Sequence, residues 1–113
     1  MTVGKQLYSQ YCANCHQDDG TGFKELYPPL KNADYMLEDV NRTICIIKNG
    51  QQGSIMVNSR EYNQIMPANL NLTDLEIAEI TTFIYNRFTD STLIIKPEQV
   101  SASLLDCSIQ EAP

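Results

Sequence analysis

Chemistry in this chain is concentrated in five consecutive residues, Cys12-Ala13-Asn14-Cys15-His16. Two thiols three positions apart, followed at once by the only histidine, form the attachment pattern for a covalent c-type haem. Both cysteines would become thioethers on the porphyrin vinyl groups, and the His16 imidazole would bind the iron from one side. The contiguity has a geometric reason. One helical turn sets both sulfurs along a porphyrin edge while the histidine turns beneath the ring. Two plainer chemistries compete, a redox-active Cys-x-x-Cys and half of a zinc site. The zinc reading lacks a second ligand pair, because Cys45 and Cys107 lie far apart in the sequence.

A single histidine restricts the far side of the iron to methionine, a weaker donor or water. Met1 is terminal, Met36 falls in a predicted helix and Met56 alternates within a strand-like run. Met66 stands beside Pro67 in a stiffened loop and is the expected second axial ligand. A soft thioether there favours ferrous iron and closes the site to oxygen and substrates, which points to electron transfer.

The elements that must position these residues are mostly helical. Residues 3–12 read as a first helix with Val3, Leu7 and Tyr11 on one face and Gly4 with Tyr8 beside it; Gly4 invites a close helix crossing. A turn-rich loop over 17–22 precedes Tyr27-Pro28-Pro29-Leu30. Those prolines hold the chain extended, so the segment can lie against a flat cofactor and offer a carbonyl to the outer nitrogen of His16. Asp34 is expected to cap a helix running through Val40, Ile44 and Ile47 and stopping at Lys48-Asn49-Gly50. Residues 55–62 suggest a small hairpin or Ω-like excursion, although its turn lacks the favoured glycine. Thr73 with Glu76 forms a capping box for the clearest helix, whose apolar residues are Leu75, Ile77, Ile80, Phe83, Ile84 and Phe88. Beyond about Thr89 an extension contains a further helix begun by Pro97, with Val100, Leu104 and Cys107 on one face. Residues 108–113 are expected to fray.

With 113 residues and a net charge of −6, the chain fits one domain with no basic surface for nucleic acid. No apolar run reaches the roughly 18 residues of a membrane span. Met1-Thr2-Val3-Gly4 carries no secretory leader. Bacterial haem attachment takes place outside the cytoplasm, so the expected location is periplasmic, with the signal segment missing and Met1 added. The acidity suits redox partners with a basic docking patch, or simply keeps a monomer in solution.

Taken together, these residues resemble a monohaem class I cytochrome c. The resemblance rests on Gly4 and Tyr8, the Cys12–His16 motif, Gly20, Gly22, Pro29-Leu30, Met66-Pro67 and the helix from Leu75 to Ile84. The run from Val57 to Pro67 is similar to haem domains accompanying copper nitrite reductases and terminal oxidases. Membership implies an all-α cytochrome c fold around one haem c in residues 1–88; the extension over 89–113, expected to pack on the same domain, departs from the minimal fold. Membership also implies cofactor contacts from Cys12, Cys15, His16, Pro29, Leu30 and Met66, with His16 and Met66 on the iron and the Pro29 carbonyl bonded to His16. Cys45 and Cys107 are expected to form a disulfide, the alternative being two inert buried thiols. No histidine remains for a catalytic triad, and no enzymatic site is expected. The implied role is an electron carrier of the bacterial cell envelope. The competing readings are a haem enzyme or gas sensor with an open distal site, and a relay domain of a larger oxidoreductase.

Overall fold

The computed structural model describes residues 3–107, so the terminal segment expected to fray lies outside the described residues. Six helices and one hairpin make up the described part: α1 (Val3–Tyr11), α2 (Ala13–His16), α3 (Asp34–Glu38), α4 (Val40–Asn49), β1 (Ile55–Val57), β2 (Arg60–Tyr62), α5 (Asp74–Phe88) and α6 (Pro97–Leu105). The fold is mainly α, as the residue pattern implied.

Helix α5 is the spine. Its capping box forms as expected, with Thr73 Oγ1 accepting from Glu76 N and Glu76 Oε1 accepting from Thr73 N. Ile77, Ile80, Ile84 and Phe88 are buried along one stripe. Leu75 departs from expectation and is 56% exposed. Lying two residues before Ile77, it sits about 200° around the helix from that stripe. Helix α1 packs against α5, with Gly4 and Tyr8 as its buried residues. The Tyr8 ring lies 5.6 Å from that of Phe83 and 5.3 Å from that of Phe88, so three aromatic rings fill the crossing.

The helix expected from Asp34 is two helices, and Asp34 is not its cap. The chain breaks at Asp39 (φ −161°, ψ 100°), whose carboxylate accepts from Arg42 N at 3.1 Å and caps α4. Tyr85 supplies the other half of the reason. Its buried hydroxyl donates to the Met36 carbonyl at 2.5 Å, the acceptor that a continuous helix would have used for Val40 N. Asp34 instead ties down the hairpin. Its carboxylate accepts from Asn58 N at 2.8 Å, and Asn58 Oδ1 accepts from Asp34 N at 2.9 Å. That reciprocal pair holds a two-residue turn in which Asn58 (φ 52°) and Ser59 (φ 68°) are both left-handed without a glycine.

The C-terminal segment lies along the same core. Thr82 Oγ1 accepts from Ile95 N, and the Asn86 amide both donates to Leu93 O and accepts from Leu93 N. Helix α6 then packs on α4 and α5, with Val100 fully buried. Cys45 and Cys107 are joined in a disulfide, as expected.

Candidate haem site

The hydrogen-bonded course of the chain carries through the attachment motif: Cys12 N donates to Tyr8 O at 2.8 Å and His16 N to Cys12 O at 3.1 Å. Cys12, Cys15 and His16 therefore border one cleft. The turn is closed by Gln17 at φ 71°, whose carbonyl accepts from the Tyr8 hydroxyl at 2.6 Å. Burial pushes the Cys12 thiol up to about 12, with the neighbouring Cys15 adding to the rise. A redox-active dithiol needs a lowered value, so this environment suits an uncharged thioether and disfavours the redox reading. The disulfide consumes Cys45 and Cys107 and leaves no second cysteine pair for zinc.

His16 is 8% exposed, and its Nδ1 lies 2.8 Å from the Pro28 carbonyl oxygen. A carbonyl only accepts, so Nδ1 carries the proton and Nε2 keeps its lone pair for iron. Burial lowers the histidine's pKa, partly opposed by this bond, and so favours the neutral ring that metals bind. The acceptor is Pro28 and not the expected Pro29; Pro29 and Leu30 border the cleft instead. Gly22 explains the placement. At φ +77° it lets the chain double back so tightly that a Cβ there would strike the Tyr27 carbonyl oxygen and stand 2.8 Å from Pro28 C and Pro29 N. The Gly20 carbonyl accepts from Leu30 N and Lys31 N, which fixes the far end of the same loop.

Another part of the lining hangs from the end of α4. Gln51 and Met66 exchange two backbone hydrogen bonds of 2.9 Å, and Asn69 Nδ2 donates to Ile47 O. Lys48 Nζ donates to the carbonyls of Leu70 and Leu72. Met66 is thereby set on the rim of the cleft that His16 enters. Met36, set aside because it falls in a predicted helix, is buried and also borders the cleft, whereas Met56 is 56% exposed. Ile80 and Ile84 of α5 also line the cleft, as do Ile55, Val57 and Tyr62 of the hairpin. Sequence reasoning missed the contributions of Gln51 and Tyr62, which carry no motif of their own. The lining is almost wholly apolar, a character suited to a large flat cofactor.

A family model for cytochrome c matches residues 1–87, a span that contains the cleft and every residue named around it. The chain belongs to the cytochrome c family. Cytochrome c-552 of Thermus thermophilus is 34% identical over 92 residues, covering 78% of this chain and 70% of the relative. A second cytochrome c-552 of the same species shares that identity, again over 78% of this chain but across 62% of its own length. The cytochrome c subunit of a quinone alcohol dehydrogenase from Gluconobacter oxydans is 30% identical over 104 residues, 89% of this chain and 20% of that subunit. As a cytochrome c, the chain binds haem c covalently and transfers electrons. The cleft fits the group: two cysteines and a histidine with one free ring nitrogen line it, and the lining is almost wholly apolar.

Proposed function

We propose that this cytochrome c carries one electron on a six-coordinate haem, with thioethers at Cys12 and Cys15 and with His16 and Met66 as axial ligands. The observation that carries the reading is that His16 and Met66 border one apolar cleft while each is fixed by its own backbone hydrogen bonds. Such a site holds its ligands in both oxidation states, and the protein adds orientation and a dry surrounding, not bond chemistry. Pro29 and Leu30 serve as cofactor wall, residues 1–88 as the haem domain and 89–113 as its packed extension. The chain acts as a monomer outside the cytoplasm, exchanging electrons with proteins that present a basic patch; its charge of −6 supports that choice of partner. It is a carrier without catalytic activity of its own. Among the described residues no helix is long and apolar enough to cross a membrane.

A second reading, as a relay within a larger oxidoreductase, draws support from the Gluconobacter oxydans relative, a dehydrogenase subunit of which the matched part is one fifth. Ligation is tested by absorption spectra of the haem-loaded protein in both redox states. Met66→Ala should lose the weak long-wavelength sulfur–iron band and bind carbon monoxide rapidly when ferrous, while Met36→Leu keeps the band. Survival of the band in Met66→Ala would remove Met66 from the iron.

A further inference from the structure

The bridge that anchors Met66 also sets a second side chain beside it. Gln51 and Met66 are antiparallel partners that exchange both backbone hydrogen bonds at 2.9 Å. Residues paired in this way carry their side chains on the same face, with Cβ atoms about 5 Å apart. Both residues are half-buried, and both border the haem cleft. The Gln51 side-chain amide bonds to no described residue, and no carboxylate borders the cleft to draw it elsewhere. A half-buried amide facing an apolar lining is costly when left unpaired, so a donor placed there calls for an acceptor close by.

The nearest acceptor by this pairing is the methionine itself. A thioether sulfur has two lone pairs, of which an axial bond to iron uses one, and the other can accept a weak hydrogen bond. We propose that Gln51 is a positioning residue for the axial methionine, its Nε2 donating to Met66 Sδ. The proposal rests on the Met66 ligation put forward above. Two methylenes carry the glutamine amide away from the backbone, enough to cross the gap between paired side chains. Two other amides compete less well. Gln64 borders the cleft but is exposed and has no bridge to Met66, and Asn69 Nδ2 already donates to Ile47 O. The bond has two effects. It fixes the rotation of the thioether, and it draws electron density from the sulfur, which disfavours ferric iron and raises the reduction potential.

The direct test is proton NMR on ¹⁵N-labelled, haem-loaded ferrous protein. A through-space contact between the Gln51 Nε2 protons and the Met66 methyl protons is expected, and its absence overturns the proposal. In parallel, Gln51→Leu, close in size but without a donor, should lower the midpoint potential at pH 7 by about 30 mV, a roughly threefold change in the one-electron equilibrium. Gln51→Asn keeps the amide on a side chain one methylene shorter and should follow Gln51→Leu. A potential lowered in Gln51→Leu but unchanged in Gln51→Asn would assign the effect to the polarity of the lining and overturn the bond. A potential for Gln51→Leu equal to or above that of the unaltered protein also overturns it. If the variants fail to mature, the contact in the unaltered protein decides alone. The sulfur–iron band separates the two readings: a missing contact with the band intact refutes the role of Gln51, whereas a missing band refutes the ligation and the proposal with it.

Discussion

Gly50→Ala should damage ligation from outside the cofactor's reach. Gly50 ends α4 at φ 80° and ψ −174°, a backbone region that is essentially glycine's alone. Forcing an L-residue there costs about 1–3 kcal/mol. An added Cβ would also stand 2.5 Å from the Met66 carbonyl oxygen and 2.9 Å from Ala68 N, both backbone atoms that cannot rotate away. Relieving that overlap moves the Met66–Ala68 segment and adds about 1–3 kcal/mol more. The total is about 4 kcal/mol, and the displaced segment is the one that presents Met66. Gly53→Ala is the matched control, since φ is +93° but nothing beyond its own chain neighbours lies within 4 Å of the added Cβ. Denaturant unfolding followed by circular dichroism gives the stability, and the sulfur–iron band with carbon monoxide binding gives the ligation. The expectation is a loss for Gly50→Ala at least twice that for Gly53→Ala, with a weakened band in Gly50→Ala alone. Equal losses with both bands intact would refute the link between the Gly50 turn and Met66.

Removing the Cys45–Cys107 link as the double alanine variant opens a loop with a sequence separation of 62. The chain-entropy relation then gives an upper bound of about 4 kcal/mol and a fall in Tm of roughly 15–20 °C, to be read by calorimetry with the haem spectrum unchanged. A Tm within a few degrees of the original would show that packing of α6, not the cross-link, holds the extension. Asp39→Ala removes the cap of α4 and should cost about 0.5–2 kcal/mol, because Arg42 N loses its acceptor. Amide hydrogen exchange should then quicken in the first turn of α4 before it does in α5.

What was legible in the sequence was whatever is encoded within one turn of chain. The attachment motif needs only neighbours, and so does the Thr73–Glu76 box; both were readable and both formed. The break at Asp39 was half legible, for an aspartate three residues before Arg42 can cap, but the other half is a tyrosine hydroxyl arriving from α5. Local periodicity cannot report such an arrival. The choice between the carbonyls of Pro28 and Pro29 was set by how closely Gly22 lets the loop fold back, a distance that no spacing rule contains.

The paired backbone bonds between Gln51 and Met66 carry one further consequence. They close residues 52–65 into a cassette that leaves and re-enters the fold at a single point, so the cassette's length is uncoupled from the position of its last residue. Segments of different size can be spliced at the Asn58–Ser59 turn with Met66 held in place and Ile55, Val57 and Tyr62 kept as cleft lining, at the cost of the Asp34–Asn58 tie at the tip. The surface that the cassette shows to other proteins is thereby free to diverge while the iron's surroundings stay constant, which is how one electron-transfer core can be refitted to new partners.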